Sequence, residues 1–158
     1  MTMINQMNVT IQSGCMEHLP DCVVALENSE LGRRYFAGEG SAERAVTAGL
    51  EQGDVSIALL DGHCAGFIWI LPKGVFRSFP YIHIIAVKED YRNKGIGRKL
   101  MAHAERAAFA DAAKIFLLVA DFNPDAKRLY ERIGFRQVGE IPNLYRDGIT
   151  EYLMMKER

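Results

Sequence analysis

Arg92, Gly95 and Gly97 are spaced as Arg-x-x-Gly-x-Gly, between an apolar run and a segment of helical periodicity. The run 82–87 is rich in β-branched residues and predicts a buried strand. A polar turn, Lys88-Glu89-Asp90, follows, and then Tyr91-Arg92-Asn93-Lys94-Gly95-Ile96-Gly97-Arg98. Strand, glycine-bearing loop and helix start, in that order, make an anion site. The first N–H groups of a helix have no intrahelical acceptors, and the aligned peptide dipoles add partial positive charge there. Glycine at 95 and 97 removes the Cβ atoms that would keep a phosphate off the backbone. Arg92, Lys94, Arg98 and Lys99 add cations around the same turn. The chemistry this suits is the holding of a pyrophosphate.

Two other phosphate loops fit poorly. A Walker loop requires Gly-x-x-x-x-Gly-Lys-Ser/Thr, whereas Gly97 is followed by Arg98-Lys99. A dinucleotide fingerprint requires Gly-x-Gly-x-x-Gly directly after its strand, with an acidic residue about 20 positions on. The segment from Ile84 to Arg98 instead resembles the acetyl-coenzyme A loop of the GNAT superfamily of N-acetyltransferases. That signature is Gln/Arg-x-x-Gly-x-Gly/Ala after a strand ending in hydrophobic-x-Val. A second segment, from Asn123 through Ala126, Leu129 and Tyr130 to Gly134-Phe135, is similar to the family pattern Asn-x-x-Ala-x-x-Leu/Phe-Tyr-x-x-x-Gly-Phe at every fixed position.

The resemblance implies acetyl-CoA as cofactor, with Arg92, Asn93, Lys94, Gly95, Ile96, Gly97 and Arg98 on its pyrophosphate. It implies a splayed strand whose free main-chain groups at Ile85, Ala86 and Val87 bind the pantetheine arm. An amide near Val87 would then polarise the thioester carbonyl, as a backbone oxyanion donor does. It also implies that Asn123 bonds the cofactor arm and that Tyr130, near the sulfur, is general acid for the leaving thiolate. A lone tyrosine on an apolar helix face is more often a core residue. Two motifs in the family's order favour the catalytic role. Asn123 also suits a helix N-cap, and its two roles are compatible.

The implied reaction is direct attack of a neutral amine on the thioester in a ternary complex. An amine is protonated at neutral pH, so a base or a water chain must take its proton. His83 lies two residues before Ile85 on the same strand face, and an ordinary pKa near ~6.5 suits that task. The run His83-Ile84-Ile85-Ala86-Val87 also resembles the strand of arylalkylamine acetyltransferases, where a histidine lines the substrate side. A histidine satisfied within a half-buried strand fits equally well. The family builds its acceptor pocket from the first two helices, the connection before this strand and the last hairpin. Those positions make Tyr35, Phe36, Phe79, Tyr81 and Tyr145 the candidate acceptor residues, for a small-molecule amine or a peptide amino group. Loop anchors are the commoner meaning of such aromatics.

The chain has 158 residues, 49% hydrophobic and 25% charged, with net charge -1. Its length suits one domain with a real core. Its charge gives no general attraction to nucleic acid or a membrane surface. Cys15, Cys22 and Cys64 form neither a disulfide framework nor a zinc pattern, and no metal is expected. With no signal-like start, a cytoplasmic location is expected. The longest apolar runs, such as 64–71, fall far short of the ~20 residues that span a bilayer.

Periodicity and turn signals predict strands over 9–11, 55–60, 63–71, 81–87, 115–120, 135–140 and 149–156. They predict helices over 16–28, over 42–51 with Ser41 as N-cap, after Gly95, and from Pro124 to a stop at Gly134. The third helix carries Ile96, Leu100, Ala104, Ala107 and Ala108 on one stripe. Residues 1–7 read as an unstructured start, 31–40 as a glycine-broken loop and 72–79 as an irregular connection. The order β-α-α-β-β-β-α-β-α-β-β predicts an α/β (α+β) fold with a mixed sheet of about seven strands and helices on both faces. The GNAT fold has this order, and the resemblance treats 1–158 as a single acetyltransferase domain. The leading reading is an acetyl-CoA-dependent N-acetyltransferase. The alternatives are a non-catalytic acyl-CoA sensor of the same fold and a nucleotide-binding protein of another class. Homodimers are common in the family, although no stretch announces an interface.

Overall fold

The computed structural model describes residues 7–158, so the expectation for the first six residues lies outside the described residues. Among the described residues, seven strands are β1 (Val9–Ser13), β2 (Val55–Leu60), β3 (His63–Val75), β4 (Phe79–Val87), β5 (Lys114–Ala120), β6 (Arg136–Pro142) and β7 (Thr150–Glu157). Among the same described residues, five α-helices are α1 (Leu19–Glu27), α2 (Glu30–Tyr35), α3 (Ser41–Gln52), α4 (Ile96–Asp111) and α5 (Pro124–Arg132). The strands form one sheet in the order β1-β2-β3-β4-β5-β7-β6. It is mixed, as predicted: β4 runs parallel to β5, while β5 and β6 each run antiparallel to β7. The chain falls into two compact units, one up to Trp69 with Ile84–His103, the other Ile70–His83 with Ala104–Arg158.

In the first unit, Asp61 and Gly62 turn the chain at φ 50° and 83°, the left-handed pair of a tight hairpin. From there β2 pairs with β3, starting at Leu60↔His63. Ile57, Phe67 and Ile68 are fully buried, and each contributes about 1.5–3 kcal/mol by leaving water.

The helices before β2 differ from expectation. The single helix predicted over 16–28 is a 3-10 turn, Met16–His18, followed by α1. Pro20 sits in the first turn of α1, where its missing N–H costs nothing. The loop predicted over 31–40 contains α2, capped by the Ser29 hydroxyl, which accepts from Gly32 N at 2.9 Å. Gly32 is no helix breaker here. A Cβ on it would lie 1.7 Å from Leu26 O, so glycine is required by how tightly α2 turns back on α1. Among the described residues, three α-helices therefore precede β2, not two. Gly32→Ala is expected to lower the unfolding free energy by about 3 kcal/mol in urea titration. An unchanged midpoint would contradict that close approach. Gly40, at φ 69°, takes the N-cap of α3, so Ser41 is its first residue rather than its cap.

In the second unit, β3 runs on to Val75 and β4 starts at Phe79, so 72–79 is no irregular connection. Phe76 and Arg77 both take left-handed φ, 53° and 56°, and Ser78 N donates to Val75 O at 3.1 Å. A two-residue turn without Gly, Asn or Asp carries none of the usual signals. Strand β4 alternates strictly: Ile82, Ile84 and Ala86 are buried, while Tyr81, His83, Ile85 and Val87 stay half-exposed. Only one of its faces is the buried one predicted. Along α4, Met101 is buried and Ala107 is exposed, so Met101 takes the place predicted for Ala107 beside Ile96, Leu100, Ala104 and Ala108.

Candidate active site

In the first unit β4 ends at Val87 and the chain enters a 3-10 turn, Glu89–Tyr91. Lys88 fixes this exit twice. Its N–H donates to Ala65 O at 2.8 Å, and its ammonium pairs with Asp21. Gly66 allows the close approach of β3 and β4, since a Cβ there would stand 2.6 Å from Ala86 O. Asn93 and Gly95, at φ 61° and 77°, then curl the chain so that α4 begins at Ile96. The helical ladder opens with Lys99 N donating to Gly95 O at 3.1 Å. The amides of Ile96, Gly97 and Arg98 precede it, as at any helix start.

A Cβ on Gly97 would come no nearer than 4.0 Å to Val87 Cγ2, and one on Gly95 would meet nothing within 4 Å. The space over these amides is open, which is what a phosphate needs. Lys94, Arg98 and Lys99 stand exposed around it. The residues present fit a pyrophosphate. Arg92 directs its hydrogen bonds elsewhere: Nη2 donates to Asn28 O at 2.9 Å and Nε to Val87 O at 3.3 Å. Arg33 Nη1 reaches the same Asn28 carbonyl at 2.8 Å. The Arg92 side chain thus ties the loop to the end of α1, and its charge stays beside the turn.

In the second unit, Asn123 holds the N-cap position of α5 and Pro124 the first turn, as predicted, but the Asn123 side chain makes no capping bond. At the other end, Phe135 N donates to Tyr130 O at 3.0 Å and Gly134 N, at φ 105°, donates to Glu131 O at 3.1 Å. This pair of bonds is a Schellman closure, and the usual apolar contact accompanies it. The Tyr130 and Phe135 rings meet edge-on with centroids 6.2 Å apart. The spacing Tyr-x-x-x-Gly-Phe is therefore a helix-closing device that holds the tyrosine by the turn after it. Burial pushes the Tyr130 phenol up to about 12. It stays protonated through the neutral range, as a proton donor must.

His83 lies half-buried on β4, its ring tilted against that of Tyr81 at 5.9 Å. Burial holds its pKa below the usual 6.5, so the imidazole is neutral at pH 7 and able to accept a proton. The unfolded chain binds that proton more tightly. His83 therefore costs stability as pH falls below 6.5 and has no such effect above it. Burial also raises the Tyr81 phenol, helped by Tyr145, which hydrogen-bonds it, and by the charge of Glu151. Glu151 is 3% exposed, the only buried charged side chain among the described residues.

Of the candidate acceptor residues, Tyr81 and Tyr145 are brought together. Phe79 packs edge-on against Phe116 at 5.8 Å. Tyr35 and Phe36 close α2 in the first unit, both half-buried. Sequence reasoning missed Glu151, although the parity of β7 puts it on one face with Leu153 and Met155. It also missed Lys156, which holds the end of α5 through Ile133 O at 2.7 Å. Among the described residues, no helix is long and apolar enough to cross a membrane.

Over 111 residues the chain is 38% identical to an N-alpha-acetyltransferase of Saccharolobus solfataricus, covering 63% of this chain and 66% of that protein. The chain spans between 26% and 66% of the length of the curated relatives it matches. The crystal structure of a GNAT-family acetyltransferase from Bacillus cereus superposes with a TM-score of 0.79 over 96% of this chain and 98% of its own, at 16% identity. Arabidopsis thaliana Naa50, solved with the bisubstrate analogue CoA-Ac-MVNAL, superposes with a TM-score of 0.69 over 95% of this chain and 99% of its own, at 22% identity. At such identities the likeness speaks for the fold. Residues 22–135 match the Acetyltransferase (GNAT) family. With most of its length inside that match, the chain belongs to the GNAT acetyltransferase family.

Proposed function

We propose that this chain transfers an acetyl group from acetyl-CoA to a primary amine, either a small molecule or the amino group of a peptide. The observation that carries the reading is the start of α4, where Gly95 and Gly97 leave the approach to the first-turn amides open. Residues 93–98 would hold the pyrophosphate there, with the Arg92 charge beside them. Main-chain groups of Ile85, Ala86 and Val87 take the pantetheine arm, an amide near Val87 polarises the carbonyl, and the Asn123 side chain bonds the arm. When bound, acetyl-CoA supplies the acetyl group and a thiolate leaving group.

Tyr130 gives its proton toward the sulfur. A free thiol titrates near ~8.5, below this phenol, so the transfer is uphill and the phenol keeps its proton until the thiolate departs. His83 removes the proton from the incoming ammonium. Tyr81, Tyr145 and Glu151 give the acceptor side aromatic faces and a negative charge, both suited to an ammonium group. Relatives named N-alpha-acetyltransferase favour a peptide α-amino group among acceptors.

Calorimetric titration with CoA, ATP and NAD tests the cradle. CoA alone is expected to bind, and equal binding of ATP or NAD would return the loop to a generic anion site. The pH profile tests the base. Turnover is expected to fall on the acid side through an apparent pKa below 6.5, as the lowered His83 pKa dictates, and His83→Gln should remove that limb. A limb that survives in His83→Gln would assign the proton to a water chain.

A further inference from the structure

Helix α5 has nine residues and buries none of them fully. A helix that short, with no fully buried side chain, gains little from its own ladder and must be held by its surroundings. Three contacts hold it. The Lys127 ammonium lies 5.3 Å from the centroid of the Tyr152 ring and pairs with Glu131 at 3.0 Å. The Schellman turn packs Phe135 against Tyr130. The third is the half-buried ammonium of Lys156, which donates to Ile133 O at 2.7 Å and to Glu105 Oε2 at 3.0 Å.

Ile133 is the C-cap of α5, and its carbonyl is one of those the helix itself leaves unsatisfied. A cation there also meets the negative end of the helix dipole. The lysine stem is confined, since a Cβ on Gly134 would stand 3.0 Å from Lys156 Cε. Glycine at 134 therefore serves two needs, the left-handed φ and the passage of this side chain. Glu105 on α4 supplies the counter-charge that keeps the ammonium in place. From Ile133, the capped carbonyl, to Tyr130 is less than one helical turn.

We propose that Lys156, held by Glu105, is the positioning residue for Tyr130, fixing the last turn of α5 and through it the place of the phenol. The inference rests on the reading of Tyr130 as proton donor. Lys156 touches neither cofactor nor acceptor in this account, so its removal should slow the chemical step without weakening cofactor binding.

The test measures thiol release from acetyl-CoA, with a free-amino-terminal synthetic peptide as acceptor, in the full chain and in Lys156→Met. Turnover is expected to fall about tenfold, because small misplacements of a reacting group cost rate steeply. CoA affinity by calorimetry should stay unchanged. Lys156→Arg, which keeps a donor at the carbonyl, should recover most of the loss. Glu105→Gln should show a smaller drop of the same kind, and it serves where Lys156→Met folds poorly. In a Tyr130→Phe background, Lys156→Met should cost nothing further, because a positioned phenol is no longer there to lose.

Unchanged turnover in both Lys156→Met and Glu105→Gln would overturn the proposal. So would a loss that adds fully to that of Tyr130→Phe, or a parallel loss of CoA affinity. Tyr130→Phe alone separates the two layers. If it lowers turnover while Lys156→Met does not, only the clamp fails. If it leaves turnover intact, the proton-donor reading fails and the clamp with it.

Discussion

Tyr130→Phe is expected to lower turnover by about a hundredfold and to leave acetyl-CoA affinity as it was, because general-acid assistance acts on the transition state rather than on binding. The structure makes the substitution a clean one. Tyr130 is held by main-chain bonds of the Schellman turn and by ring contact with Phe135, and phenylalanine keeps both. What leaves is one hydroxyl whose proton burial holds tightly, with the phenol up to about 12. Turnover and calorimetry on the same preparation check the split. A fall in affinity equal to the fall in turnover would make Tyr130 a binding residue, and equal turnover would remove the acid role.

Gly97→Val is expected to reduce CoA affinity at least about a hundredfold while the protein melts at its usual temperature. Each charge-assisted hydrogen bond to a phosphate contributes about 1.5–3 kcal/mol, and losing two removes that factor or more. The substitution should not disturb the fold. A Cβ at 97 approaches Val87 Cγ2 no closer than 4.0 Å, an ordinary contact. Gly95 would be a poorer probe, since its φ of 77° strains any L side chain and mixes folding with binding. Calorimetric titration beside a thermal melt reads the two effects separately. Unchanged affinity would sink the cradle.

What the sequence made legible is local. The loop 92–98 is a matter of consecutive residues, so its glycines, its cations and the helix start at Ile96 could be read from spacing. The same holds for α5, where Asn123-Pro124 opens the helix and Gly134-Phe135 closes it. Asp61-Gly62 announced its hairpin because both residues tolerate positive φ.

What was hidden depends on partners far along the chain or on turns without a marked composition. Gly32 looked like a breaker because its reason, the carbonyl of Leu26, appears only once α2 folds back on α1. Phe76-Arg77 makes a tight turn from residues that seldom take φ near 55°. Arg92 sends a hydrogen bond across 64 positions to Asn28 O. Lys156 reads as a terminal surface charge until Glu105, 51 positions away, and Ile133 O are found beside it. Glu151 alternates like an ordinary strand residue, yet its face of β7 is interior.

The most direct test of the central claim is thiol release from acetyl-CoA across a panel of primary amines, comprising arylalkylamines, short polyamines and peptides with free amino termini. Amine-dependent release is predicted for at least one class, falling by about a hundredfold in Tyr130→Phe. Tight CoA binding with no amine-dependent release from any class would contradict the account and leave an acyl-CoA sensor in its place.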